Sequence, residues 1–373
     1  MVFAIIVKMD DWKYTFAPVS KAEWLAQMEK DLLGKTSDSL ETEWWPGEPL
    51  VPYQHQEDVE VQIVSLPDAW FQQPPSVMEW IETPLFNTDT IRQKIRDALN
   101  FGTQSMVFDT GKNGPDFGSW YEDVFPDMIE TGLLVTGDFD ANDSWMSDQL
   151  PFNTYLRLKR GEGSSADFLK PAITIHKRSK ITFRFAYEIP GDGIWTDKVV
   201  SVFQKIVDDF AEWNSKGRER NDFLANCILE FNPDDFYFKQ ILQTRTLQIV
   251  WLYFCKSMSD LSGGISSPVE CHIRENGPSD PDKYLVRASA SALGAALTGV
   301  HSICIHHSAH KEVPSYYERI TRNIHHLLNL ESEMYKGVDP LAGAYTVDYY
   351  TRKWSEVIWS RIMELINVRG LWS

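Results

Sequence analysis

From Val61 onward, short apolar runs alternate with helical stretches, and that alternation restricts the fold of this chain more than any other feature. It is the pattern of parallel strands joined by crossover helices. Eight runs qualify as strands: Met78-Ile81, Ser105-Phe108, Leu133-Thr136, Ala172-Ile175, Thr182-Ala186, Cys227-Phe231, Val269-Ile273 and Ser302-Ile305. Eight such units predict an α/β chain folded as a (β/α)8 TIM-type barrel. That fold takes about 250 residues, so the roughly 310 that follow the first 60 suffice.

The helices between the runs read unevenly, which makes the expected barrel a degenerate one. Thr90 to Asn100 places Ile91, Ile95, Ala98 and Leu99 at helical spacing and stops before Gly102. Trp195 to Trp213 puts Val199, Val202, Phe203, Ile206 and Phe210 on one face. Phe238 to Met258 is apolar over most of its length, which predicts deep packing. The spans around 110 to 132 and 136 to 172 leave room only for small helices or loops.

Residues 1–60 differ from the rest, being rich in Trp, Pro and charge, and are expected to form an N-terminal arm ahead of a barrel over 61–373. One amphipathic helix is predicted there, capped by Ser20 with Glu23 three residues on and ending at Leu33 before Gly34. Trp12, Trp24, Trp44 and Trp45 are the candidate interface anchors of that arm. The competing reading is that they staple the arm to its own barrel.

Charge excludes some partners. With 53 acidic against 36 basic residues the net charge is -17, which opposes binding to nucleic acid or an anionic membrane. Any phosphate site would have to be local, around Arg157, Lys159 and Arg160 or around Lys177, Arg178 and Lys180; solvated loop charge is the preferred reading of both runs. The apolar start, Met1 to Val7, meets Lys8-Met9-Asp10-Asp11 at once and is too short for a signal h-region or a membrane span. A cytoplasmic location follows as the expectation. Cys227, Cys255, Cys271 and Cys304 are widely spaced, so buried reduced thiols are expected rather than a zinc ribbon or a redox pair.

Several weak patterns are set aside. Gly161 to Ala166 fits a loose Gly-x-Gly-x-x-Ala, without the strand and helix of a dinucleotide site. Asp208-Asp209 and Asp234-Asp235 are adjacent pairs that point in different directions on a helix. His301, His306, His307, His310, His325 and His326 cluster in sequence. His306 and His310 have the i, i+4 spacing of a metal pair but follow a strand, so no metal site is expected.

The end of the chain carries a stronger signal. Leu285-Val286-Arg287-Ala288-Ser289 opens a helix; Thr298-Gly299-Val300-His301-Ser302 turns into the eighth strand; Glu318-Arg319-Ile320-Thr321-Arg322-Asn323 lies on a long helix; and Asp339-Pro340-Leu341-Ala342-Gly343 forms a turn. Order and spacing resemble the end of the substrate barrel of methylmalonyl-CoA mutases. The arm, with Phe16 to Trp24, Glu29 to Gly34 and Pro52-Tyr53, is similar to that of the small subunits of heterodimeric members. Arg287, Arg319, Asn323, Asp339, Pro340 and Gly343 are the motif positions that the resemblance singles out. His301 stands where the family has a polar residue near the coenzyme.

The resemblance also implies what should be lacking. The early Arg-x-Tyr-x-Gly of the family corresponds to Val77 to Pro84, which has none of the three residues. The Tyr-His-x-x-Glu-Ala-Gly stretch, whose His polarises the thioester, corresponds to Tyr187 to Gly193, without His. The segment Cys271-His272-Ile273-Arg274 belongs to the seventh strand and is no substitute; a His on a strand is more often structural. The Asp-x-His-x-x-Gly cobalamin loop does not occur, and with the chain ending at Ser373 no C-terminal cobalamin-binding domain is expected.

The resemblance therefore implies a small, non-catalytic subunit of an adenosylcobalamin-dependent methylmalonyl-CoA mutase, an isomerase. Its large partner subunit would hold the cofactor, and this chain would have no catalytic residues of its own. One alternative is an acyl-CoA-binding barrel of a split cobalamin-dependent mutase, which needs an open channel along the barrel axis and would be ruled out by Trp and Phe side chains filling it. The other is a homodimeric interaction protein that only uses the fold.

Overall fold

The computed structural model describes residues 19–45, 48–51, 53–58, 65–111, 115–122, 129–135, 153–160, 169–175, 182–189, 194–233, 236–258, 265–275, 280–306, 315–332, 334 and 338–369. The chain divides into two compact units, Met1–Ile63 with Gly343–Tyr349, and Val64–Ala342 with Tyr350–Ser373.

The first unit contains helix α1 (Lys21–Asp31) and the antiparallel pair β1 (Thr42–Trp45) and β2 (Glu48–Leu50). The expected capping box is present. Ser20 Oγ accepts from the Glu23 amide, and the Glu23 carboxylate accepts from the Ser20 amide at 2.9 Å. Lys21 pairs with Asp58, and the half-buried Trp24 ring lies 6.1 Å from Tyr53 and 5.9 Å from His55. Trp12 lies outside the described residues, as do the side chains of Trp44 and Trp45.

The second unit is a closed barrel of eight parallel strands. These are β3 (Ser76–Glu82), β4 (Ser105–Asp109), β5 (Glu130–Val135), β6 (Thr154–Arg160), β7 (Thr182–Ile189), β8 (Cys227–Phe231), β9 (Val269–Ile273) and β10 (Ser302–Ile305). They pair in chain order, and β10 closes onto β3 with Ser302 opposite Ser76. The described helices around them are α2 (Thr88–Asn100), α3 (Phe117–Trp120), α4 (Lys170–Ile175), α5 (Trp195–Ser215), α6 (Arg220–Ala225), α7 (Tyr237–Met258), α8 (Pro281–Leu297), α9 (Ser315–His326) and α10 (Tyr345–Arg369).

Seven expected strands form and one does not. Ala172-Ile175 lies in helix α4, and the fourth strand is Thr154–Arg160 instead. A short apolar run cannot be told from a helix by periodicity alone. The true strand was hidden because Arg157 and Lys159 alternate with Leu156 and Leu158, so charge occupies the positions that point into the barrel. Lys177, Arg178 and Lys180 lie outside the described residues, as do the Gly161 to Ala166 run and Asp234-Asp235.

The outer layer follows hydrophobic spacing closely. On α5, Val199, Val202, Phe203, Ile206 and Phe210 are all buried, as their period requires. Helix α2 ends two residues before Gly102, whose φ of +79° favours glycine; a Cβ there would meet the His326 ring at 2.7 Å. Helix α7 is buried all round from Gln240 to Leu252, in keeping with the expected deep packing, but polar residues share that burial. Gln240 Nε2 donates to the Ser291 carbonyl at 2.7 Å and Gln248 Nε2 to that of Thr298 at 2.8 Å, so deep packing here depends on hydrogen bonds as well as apolar contact. All four cysteines are free and buried.

Between barrel wall and α5, Asp209 accepts from the Tyr187 hydroxyl at 3.0 Å and faces Arg160 at 3.4 Å. Burial pushes its carboxyl from 3.8 to about 6, against the opposing pull of Arg160 and Tyr187 and with help from Glu212 and Asp208. The folded protein thus binds this proton more tightly than the unfolded chain. Stability from this site is fully present below 3.8 and is lost as pH rises through about 6, by up to about 3 kcal/mol. Asp209→Asn is therefore expected to stabilise the protein relative to the parent at about pH 7.5 and not at about pH 4. Urea unfolding at both pH values checks this, and an equal difference at the two would contradict it.

Candidate functional site

Strand pleating sends every second residue of a barrel strand into the lumen. On β6 these are Tyr155, Arg157 and Lys159; on β8 and β9 they include Glu230, Glu270 and His272. Arg157 crosses the lumen. Its Nε and Nη2 donate to Glu230 Oε1 at 3.0 and 2.6 Å, and Nη2 donates to Glu270 Oε2 at 2.6 Å. The three side chains are 0, 2 and 1% exposed.

Burial acts against all three charges, and mutual attraction outweighs it. For Glu230, burial alone would raise the carboxyl, but Arg157, His272 and Lys159 bring it down to about 2. Glu270 is held well below the usual carboxylate range by Arg157 and His272 despite its burial. Arg157 in turn keeps its proton more firmly than a free guanidinium, because Glu270 and Glu230 overcome its desolvation.

Inside the barrel, Met78, Val107, Tyr155 and Cys304 form an apolar cluster. Tyr155 presses on β5 so closely that a Cβ at Gly132 would lie 2.6 Å from its ring, and the Arg184 guanidinium lies 4.1 Å over that ring. Toward the carboxyl-terminal end, Lys159 Nζ bridges Glu188 and Glu230 at 2.9 Å each, and Arg274 reaches Glu188 at 3.4 Å. Barrel enzymes place their chemistry at this end.

The same end holds a pair of histidines from adjacent strands. His272 Nδ1 lies 2.9 Å from His306 Nε2, and His272 Nε2 lies 3.4 Å from Glu270 Oε2. Trp80 stands 5.7 Å from each imidazole. Cys304 on β10 belongs to the group: its sulfur and a nitrogen from each histidine all lie within 4.8 Å of one another. Tyr284 on α8 donates its hydroxyl to the carbonyls of Ile273 and His306, and Arg287 donates to the carbonyl of Arg274 at 2.8 Å. The carboxyl ends of β9 and β10 are thereby tied to one helix.

The residues singled out by motif scatter over the barrel. Arg287 braces the carboxyl-terminal rim, whereas His301 sits before β10 at the opposite end, its backbone bonded to Val269 and Ser76 and its imidazole shifted down by burial. Arg319 and Asn323 are exposed on α9. The arginine of that helix that anchors it is Arg322, which donates to both Glu79 oxygens at 3.0 and 2.9 Å. Asp339 is buried against Arg245 at 2.7 Å; Pro340 is exposed; Gly343 turns at φ +84°. Among the remaining histidines, His325 is buried and held down at about 4, first by burial and then by His326, while His307 and His310 lie outside the described residues.

Sequence reasoning missed the lumen triad, with its signal present as charge at alternate positions of β6. It also set aside His272, which the fold brings against His306 from 34 residues away.

The sequence profile of the family described as methylmalonyl-CoA mutase matches residues 210–372. The methylmalonyl-CoA mutase small subunit of Porphyromonas gingivalis is 21% identical over 95% of this chain and 64% of its own length. Over its carboxyl-terminal part the chain is similar to the methylmalonyl-CoA mutase family. Its likeness to that relative is of the small-subunit type. The methylmalonyl-CoA mutase of Cereibacter sphaeroides is 27% identical over 42% of this chain, and the chain spans only 23% of that protein's length. Among solved structures, a Yersinia pestis dihydropteroate synthase aligns with a TM-score of 0.41 at 11% identity, over 70% of this chain and 94% of that one. Among the described residues no helix is long and apolar enough to cross a membrane.

A coenzyme moiety or acyl group entering along the axis would need the space that Arg157 spans, and would have to displace Glu230 and Glu270 from a buried cation. The described lumen residues do not fit either group.

Proposed function

We propose that this chain is a non-catalytic small subunit of an adenosylcobalamin-dependent methylmalonyl-CoA mutase, interconverting methylmalonyl-CoA and succinyl-CoA, with the cofactor and the chemistry in a large partner subunit. The observation that carries this reading is the buried Arg157–Glu230–Glu270 triad across the axis. The axis is crossed by buried ion pairs rather than filled by Trp and Phe side chains, and these too argue against the acyl-CoA-binding alternative. The sequence of Val77 to Pro84 agrees, because the positions of the lacking Arg-x-Tyr-x-Gly fall on β3, where Trp80 faces the lumen and Glu79 anchors α9.

Likeness to a small subunit along 95% of the chain supports a heterodimer over the homodimeric alternative. Co-expression with the cobalamin-carrying mutase subunit of the same organism is expected to give a stoichiometric complex on size exclusion. Separate elution would overturn the subunit reading. Mutase activity of the purified chain alone, with adenosylcobalamin added, would overturn the non-catalytic part of it.

A further inference from the structure

We infer that His272, Cys304 and His306 form a binding site for a borderline divalent transition ion, zinc(II) foremost, at the carboxyl-terminal end of the barrel. Two imidazoles and one thiol converge from adjacent strands, with all three donor atoms within 4.8 Å of one another. A donor set of two nitrogens and one sulfur suits zinc and its neighbours and disfavours magnesium or calcium, which take oxygen ligands.

The surroundings assign the donor atoms. Glu270 Oε2 faces His272 Nε2, so that nitrogen carries the proton and Nδ1 presents its lone pair to the cluster. A carboxylate holding the far nitrogen of a ligating imidazole is the usual outer support of a metal site. Glu270 is itself fixed by Arg157, so it is kept ionised. His306 is fixed through its backbone, its amide donating to the Ile273 carbonyl at 2.9 Å and its carbonyl accepting from Tyr284. Cys304 lies on β10, and His306 follows the end of that strand two residues on.

Without an ion, the 2.9 Å contact is one imidazole donating to the other. A tetrahedral ion with bonds of about 2.0–2.1 Å to nitrogen sets the two nitrogens about 3.3 Å apart, an opening of a few tenths of an ångström. On binding, His306 holds its proton on Nδ1 and ligates through Nε2, and the Cys304 thiol gives its proton to solvent. Burial favours the neutral thiol, so the ion's charge must stabilise the thiolate, and binding releases one proton. His306 is half-buried, so the entry path lies at the rim. The fourth position is left for water.

The chain, purified without an affinity tag and stripped of metal by chelator, is titrated with cobalt(II) and then zinc(II). The expected result is about one cobalt per chain, with the intense ligand-field bands of four-coordination and a thiolate-to-cobalt charge-transfer band, both abolished by zinc. Cys304→Ser is expected to lose the charge-transfer band, and His306→Asn to weaken zinc binding by at least about tenfold. His306→Asn alters a half-buried side chain, so it serves even where Cys304→Ser fails to fold. Absence of the band from the parent protein would overturn the inference and leave a hydrogen-bonded histidine pair. Zinc affinity unchanged by His306→Asn would do the same, by placing the ion elsewhere.

Discussion

Replacing Arg157 by alanine is expected to cost about 3–5 kcal/mol of stability, because it leaves two carboxylates uncompensated inside the barrel. Glu230 keeps Lys159 as a partner and Glu270 keeps His272, yet both lose the strongest attraction that holds them ionised. Arg157→Lys should fall between parent and alanine variant. An ammonium retains the charge, but it lacks the planar fork that spans two carboxylates on different strands. Urea unfolding of the three proteins supplies the comparison. If Arg157→Ala lost less than about 1 kcal/mol, the range of an exposed pair, the lumen would be wet at this level and the argument for an obstructed axis would fail.

How far the sequence reaches depends on which face of an element is in question. The outer faces of the strands and the inner faces of the helices are apolar, so their period is visible, and α2, α5 and seven strands lie where it puts them. The lumen is another matter. Its charges pair across strands far apart in sequence, Arg157 with Glu270 over 113 residues, and a run such as Arg157-Leu158-Lys159-Arg160 reads as solvated loop until the partner strands are in place. The same holds for His272, which looks structural alone and becomes part of a cluster only when β10 closes beside β9. In α9 the motif pointed to Arg319, and burial selects Arg322, three residues on, because that position faces β3.

These placements also show what a family motif encodes in this chain. Of the motif positions, Arg287 and Asp339 hold backbone or a buried charge in position, and neither contacts the lumen triad in any hydrogen bond or ion pair described above. The lumen positions, by contrast, carry Trp80, Arg157, Glu230 and Glu270, groups that lock one another rather than wait for a ligand. In this chain the strand-end ties stand beside a lumen crossed by buried ion pairs.

Asp339 gives the sharpest test of that scaffold role. Its carboxylate accepts from Arg245 Nη1 at 2.7 Å, from the Leu66 amide at 3.2 Å and from the Leu341 amide at 3.1 Å, and the paired side chains are 0 and 1% exposed. Asp339→Ala removes a charge and three acceptor contacts at once, and a loss of about 3–5 kcal/mol is expected. Asp339→Asn separates the two parts, since the amide oxygen can still accept from backbone while the guanidinium of Arg245 loses its counter-charge. If charge dominates, the asparagine variant should lose more than half of what the alanine variant loses. Arg245→Met then completes a double-mutant cycle with Asp339→Asn, and a coupling of about 1–3 kcal/mol is expected from denaturant unfolding of the four proteins. Additive losses would show that the two side chains are stabilised independently, and that the Asp-Pro turn is held by its backbone contacts alone.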